Sequence, residues 1–540
     1  MSDFRPDRLL ERARRTVLPP DVRTLPVFSI RRNLYTDATA RDVSVKLLGG
    51  DTESRLLVAP DLWRFSRPRE SQTLDINYRT GALWLRDQHL WRPDFARIRS
   101  GAVESKRLVP DWNHLRDWLG PLGLFPASGE GFDLQVTPAW ERATHFALLR
   151  HGQRSDYDAD VSRSYSLLIQ LPAVGPVAAI GTGTKLGVTY DFQGRTIGLN
   201  LGWAPVAARH TDAASISQID SDRRFARMFT HGDAVEFQSH LSYRVVSEPD
   251  GAAYLAPCWV YDATINAAGR RISPGVYMFP ATQFDGSLAP TIVKKAAKAP
   301  SPGSSPPAPA VGGTATAASR SFVAWLGESV NLPFSETTAT GIDDALTAAG
   351  WTSRVFGEAT AIETDWQRDA AAGVNAADLA WYVGHADGGA MQLVPPEYTW
   401  LTCEHCFFGG PLRWVVVDAC GPLQDQATVP GMNSVFDRWS SAFTGLRGLL
   451  GFGTEQSPQG LQGPAAMRLA LSGDPLAQSW FRAVCENQPN TFPNMVPYVA
   501  GMFVAAGDKS ALDDCLPGFG GIAQEPPEPG NFLAVWVPLA

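Results

Sequence analysis

Nowhere in the 540 residues does an apolar run reach 18 residues, so no membrane-crossing helix is expected. The N-terminus, MSDFRPDRLLERARRTVLPP, alternates arginine with acidic residues and lacks the apolar centre of a secretory leader. Arg14-Arg15 is followed by no hydrophobic core either, so a twin-arginine leader is not expected. A short amphipathic helix stopped by Pro19-Pro20 is expected there, and the expected compartment is the cytoplasm. Basic charge is also in short supply. Lys and Arg number 47 against 55 Asp and Glu, a formal net charge of −8, the reverse of a nucleic-acid-binding footprint. Neither nucleic acid nor a membrane is an expected partner. Six cysteines, four of them between Cys403 and Cys485, are too few for a secreted disulfide scaffold.

What is present is ample material for cores. Hydrophobic residues make up 44% and charged residues 19% of the chain, and its length suits two or three domains. The clearest boundary is 294–320, KKAAKAPSPGSSPPAPAVGGTATAASR, which has almost no large apolar residue and reads as a flexible linker. The expected divisions are an N-terminal segment 1–23, an α+β module 24–128, an antiparallel β-rich module 129–293, the linker, and an α/β domain 321–540.

In the front half, 74–85 (LDINYRTGALWL) reads as a hairpin about Arg79-Thr80-Gly81. DWNHLRDWL (111–119) places Trp112, Leu115, Trp118 and Leu119 on one helical face, ended by Gly120-Pro121. Strands are expected at 145–150, 165–171, 186–190, 196–203, 241–246, 254–261 and 275–279. The stretches NYRTGALW and YDFQGRTIGLNLGW share a crude order of Tyr, turn Gly, Leu and Trp, a hint of two related units. His151 and His231 each precede a glycine, but no cysteine ends a nearby apolar strand. Cys258 reads as a buried small apolar residue.

After the linker, strands alternate with helices, the pattern of a mostly parallel sheet covered on both faces. Strands are expected at 322–326, 352–356, 379–383, 414–417 and 448–454, with a last one at 495–503. Helices are expected at 336–349, 361–372, 435–446, 464–471 and 476–486.

Two stretches carry the chemistry. In LRWVVVDACGPL (412–423), an apolar β-branched run stops at Asp418-Ala419-Cys420, and Gly421-Pro422 breaks the chain. In DLAWYVGHADGG (378–389), a similar run stops at Gly384-His385 before a glycine-rich loop. If the runs are neighbouring parallel strands, His385 and Cys420 emerge together at the carboxyl edge, where reacting groups gather in such sheets. A cysteine and a histidine close in space are the minimal nucleophile–base pair.

These two motifs resemble the caspase–gingipain–legumain clan of cysteine peptidases, and GHADGG…LRWVVVDACGPL…AFTGLRGLLGFGTE is similar to an uncharacterised bacterial family with that core. The resemblance spans about 200 residues and implies a caspase-like α/β domain without a cofactor, acting on a peptide or protein substrate. It implies that Cys420 attacks as thiolate, that His385 protonates the leaving amine, and that backbone amides of Cys420 and of the loop from Ala386 hold the oxyanion. Ala386 stands where the clan has glycine, with Gly388-Gly389 just beyond. Asp418 either shapes a pocket for a basic side chain or bonds loop amides, the second being preferred. In the front half, VTYDFQGRTIGLNLGW, LSYRV and YLAPCWVYDATI resemble PepSY-like propeptide domains, which implies a chaperone or inhibitory module restraining the back half.

Two other readings stay open. The caspase-like core with remnant Cys420 and His385 suits an inactive interaction protein. Cys403, His405 and Cys406, in TCEHCFF, suit a metal or redox site, although no second Cys-x-x-Cys completes a zinc set.

Overall fold

The structure, a computed structural model of the chain, describes residues 14–15, 18–19, 22–87, 112–284 and 319–539, with short breaks inside the last three spans. It is a strand-rich α+β protein with a large mixed sheet and few helices. The linker up to residue 318 and His231 lie outside the described residues. Among the described residues no helix is long and apolar enough to cross a membrane.

Among the described residues of the back half, seven strands belong to the large sheet: β1 (Arg320–Trp325), β2 (Thr352–Gly357), β3 (Leu379–Val383), β4 (Trp414–Asp418), β5 (Gly448–Phe452), β6 (Tyr498–Val504) and β7 (Phe532–Pro538). Their order across the sheet is β2-β1-β3-β4-β5-β6-β7. The pairs from β2 to β5 are parallel, and β6 and β7 add antiparallel. Every residue of β3, β4 and β5 is buried, which is why these runs are continuously apolar rather than alternating. One face carries Trp381, Trp414, Val416 and Leu450 against helices α1 (Ser335–Ala348), α2 (Gln462–Ala470) and α3 (Leu476–Asn487). The other carries Tyr382, Val415, Val417 and Leu449 against Phe436 and Trp439.

The expected final strand at 495–503 is followed by one more, β7, and β7 decides the architecture. It pairs antiparallel with the strand Leu134–Arg150 of the front half, from Phe532 opposite Leu149 to Trp536 opposite His145. The sheet therefore runs without interruption from one half into the other. The front half extends it with long antiparallel ribbons, Leu134–Arg150 with Gln153–Leu171 and Asp233–Ser247 with Ala253–Ala267. Each is far longer than the apolar run that announced it. His151 is a turn residue between the first two strands, at φ 49°.

The two stretches that share a Tyr–Gly–Leu–Trp order meet edge to edge, the strand Leu83–Asp87 pairing antiparallel with Thr196–Leu201. Their turns are built alike. The Asn77 carboxamide accepts from the amides of Arg79 and Thr80, and the Asp191 carboxylate from those of Gln193 and Arg195. Gly81 and Gly194 both take φ 79°, which other residues rarely adopt.

Several expectations are corrected. Arg14–Arg15 form a two-residue strand beside Asp233–Ser247, not part of a helix. The helix expected at 361–372 is absent among the described residues. Glu363–Asp365 is a single 3-10 turn, because five polar or charged residues among 363–368 offer no apolar stripe to bury. The helix expected at 435–446 stops at Trp439 and continues only as a 3-10 turn. Two further helices carry no strong apolar run. Asp37–Leu48 is closed by a Thr36–Thr39 capping box and Gly49, and Gln218–Met228 has an arginine-rich exposed face.

Candidate active site at the sheet edge

Strands β3 and β4 are direct parallel neighbours, with Val383 opposite Asp418. His385 and Cys420 each follow by two residues, so the topology brings both to the same carboxyl edge. Between β3 and His385, Gly384 leaves no room for a side chain, since a Cβ there would stand 2.2 Å from the Tyr382 hydroxyl. That hydroxyl donates to the Gln392 carbonyl, and the Gln392 amide donates to the His385 carbonyl at 2.9 Å. Ala386–Asp387 is not a free loop. It pairs with Ala390–Gln392, which pairs in turn with Trp400–Thr402, so the expected oxyanion segment begins as an edge strand of a small antiparallel sheet. A Cβ on Gly388 would meet Met432 at 2.2 Å, so this glycine serves close packing.

Cys420 is only 7% exposed and His385 only 2%. The thiol's hydrogen-bond partners are both on Gln456, whose amide donates to Sγ at 3.4 Å and whose carbonyl lies 3.9 Å away. Burial pushes the thiol well above its ordinary range, and the carboxylate of Glu455 adds to that rise. The loop after Cys420 is pinned. Gly421, at φ 66°, donates to Thr454, and the indoles of Trp439 and Trp536 donate to the carbonyls of Pro422 and Leu423, both at 2.8 Å.

Beneath Cys420 lies a buried amide network. Gln462 donates to Asp418 at 2.6 Å and to the Gln456 side chain at 3.1 Å, and accepts from Gln488 at 2.9 Å. Gln488 also closes a two-way bond with the backbone of Ser457. Among the described residues Asp418 is bonded by the Gln462 side chain rather than by loop amides. It is fully buried, and burial pushes its carboxyl up to about 7, partly opposed by the Gln462 and Trp381 side chains. The network was invisible in the sequence because its members sit in separate segments. The only available signal was polar glutamine inside otherwise apolar stretches.

The front half covers this edge. The Val276 amide donates to the Gln456 carbonyl at 3.0 Å. Gly275, at φ 104°, fits so closely that a Cβ would stand 2.6 Å from that carbonyl oxygen and 2.8 Å from Pro458. Asp262, which pairs with Val276, acts electrostatically on both Cys420 and Glu455. Burial, then Asp262, pushes the Glu455 carboxyl up to about 7, against a hydrogen bond from Ser273.

The competing cysteines are placed otherwise. Cys403 and Cys406 bracket a 3-10 turn, and His405 is exposed and bonded to Thr402. Among the described residues no three His, Cys, Asp or Glu side chains are grouped to hold a metal ion. Cys258 is buried in the front half, its thiol pushed up to about 12 by burial.

This is a strand-rich α+β protein whose cysteine and histidine share one sheet edge under a β layer of the same chain. Residues 320–537 match the family model described as Domain of unknown function (DUF6345). No curated protein matches the chain. Among solved structures, the crystal structure of an uncharacterized protein from Eubacterium rectale ATCC 33656 aligns with 9% identity over 49% of this chain and 86% of that one, with a TM-score of 0.28.

Proposed function

We propose that the back half is a caspase-like cysteine endopeptidase domain, with Cys420 as nucleophile and His385 as its acid–base partner. The carrying observation is the matched emergence of the two residues from adjacent parallel strands. In the described state the site is closed. Cys420 lies under the front half, and a buried, protonated thiol is a poor nucleophile. The front half accordingly acts as a built-in restraint, and the Gly275–Val276 contact on Gln456 is where it meets the residue that holds the thiol. Displacing that layer uncovers the Gln456 segment that holds Cys420, lowers the thiol toward the ordinary range and admits a peptide.

The test uses the full chain. A diverse peptide library is offered to wild type, to Gly275→Val, which wedges the contact, and to Gly275→Val/Cys420→Ala. Cleavage that appears in Gly275→Val and vanishes with Cys420→Ala supports the reading. The burial of both residues favours a second reading, an inactive caspase-like interaction protein. No cleavage by Gly275→Val, with Cys420 openly alkylated, would establish it.

A further inference from the structure

A cleft of about 370 Å³ runs along the helix Gln218–Met228 of the front half. That volume is within the range of small-molecule sites, roughly 300–1,000 Å³. Arg223, Arg224 and Arg227 line it together with Asp220, Ser217 and Gln283, and no residue of the Cys420 site takes part.

Helical spacing sets the three arginines on one face, since residues three and four apart are surface neighbours. Like charges so placed repel one another. All three are exposed, and among the described residues only Arg223 has a carboxylate partner, Asp220 at 3.3 Å. Arg227 gains from the carbonyl end of the helix, but Arg223 and Arg224 lie outside that last turn. The face is fixed in place. On the buried side of the helix Phe225 stacks on Tyr261 with ring centroids 4.4 Å apart, and the Tyr261 hydroxyl donates to Asp222 at 2.9 Å. The other wall is held by its backbone. The Ser215 amide donates to the Arg23 carbonyl at 2.9 Å, that of Ile216 to Ala281 at 2.8 Å and that of Gln283 to Ala214 at 2.9 Å. The cations are thus gathered and positioned before any ligand arrives.

We infer that this cleft is a binding site for a small molecule bearing a phosphate or diphosphate group, held by the guanidinium groups of Arg223, Arg224 and Arg227. A carboxylate carries a single charge and matches one guanidinium fork. A phosphate ester carries about two charges on its terminal oxygens and can take several forks at once. Binding relieves the repulsion along the helix face.

The probe is inorganic pyrophosphate, titrated calorimetrically into the full chain at constant ionic strength and without divalent metal. Saturable binding is expected in the wild type. Arg224→Gln/Arg227→Gln is expected to weaken it by at least about tenfold. Arg116→Gln, which removes an exposed arginine from the separate helix Trp112–Leu119, is expected to leave it unchanged. Asp220→Asn removes the only carboxylate lining the cleft and is expected to tighten binding about threefold, a gain that misfolding cannot imitate. No binding by the wild type, equal weakening by Arg116→Gln, or weaker binding by Asp220→Asn overturns the inference. So does succinate bound as tightly as pyrophosphate.

Discussion

At the residue scale, the site's most consequential side chain is one that touches no solvent. Asp418 has a folded-state pKa near 7 against an ordinary 3.8, so the folded chain holds the proton more tightly. Its contribution to stability is intact below the ordinary value and is lost as pH rises through about 7. Asp418→Asn keeps the shape and the bond from Gln462. It is expected to be nearly neutral at pH 4 and to stabilise the protein by roughly 2–4 kcal/mol at pH 8, in urea titrations at both pH values. Equal effects at the two pH values would refute this. Gly384 offers a second residue-scale test. Gly384→Ala drives a methyl into the Tyr382 hydroxyl and is expected to cost about 1–3 kcal/mol. The ring carbon Cζ would also stand 2.5 Å away, so Tyr382→Phe is not expected to relieve the clash, and urea titration should show Gly384→Ala to be destabilising in either background.

The element that matters most is the front-half strand Val276–Pro280 together with its Gly275 approach. It clamps the segment 454–458, and that segment holds Cys420. Alkylation by iodoacetamide, read by mass spectrometry, should be slow at Cys420 in the wild type and faster in Gly275→Val by at least about tenfold, since thiolate fraction and access both increase. Unchanged alkylation would separate Cys420 burial from this contact. The clamp also carries a charge conflict between Glu455 and Asp262. Glu455 is raised from 4.5 to about 7 in the closed state, so protonation favours closure. The clamp is fully supported below the ordinary value and weakens as pH rises through about 7. Glu455→Gln should flatten that part of the stability–pH curve, while a slope identical to wild type would point to Asp418 alone.

For the whole molecule, the halves are a single structure. Arg154 of the front half pairs with the fully buried Asp425 of the back half at 2.8 Å, and Arg64 reaches Asp474 at 2.7 Å. Asn490 donates to Ser164 at 2.6 Å and accepts the Trp140 indole at 2.7 Å. Removing one partner of a buried pair typically costs about 3–5 kcal/mol, so Arg154→Ala is expected to lower stability by that order. Asp425 would be left with only the amides of Ala427 and Val435. A fragment beginning at residue 320 would bare the edge of β7, whose seven residues are all buried in the full chain. It is expected to aggregate or to show no cooperative unfolding by calorimetry. A soluble, cooperatively folding fragment would mean that the join between the halves is dispensable.

The sequence by itself determined the buried parallel strands, because a run such as Trp414–Asp418 has one economical use, burial on both faces. From that followed the placement of His385 and Cys420 at one edge, and separate local signals marked the hairpin about Gly81 and most of the helices after residue 320. Local chemistry carried those readings: β-branched runs, turn glycines and helical spacing. What only the tertiary structure decided has long-range causes. Strand β7 carries its own apolar run, FLAVWVP, legible as a buried strand, but its pairing with Leu134–Arg150 rests on backbone hydrogen bonds that no local pattern specifies. The amide network under Cys420 draws on residues 418, 456, 462 and 488, which spacing cannot connect. The closed state of the thiol is likewise a property of the whole chain, since Gly275 and Gln456 meet only after both halves have folded against each other.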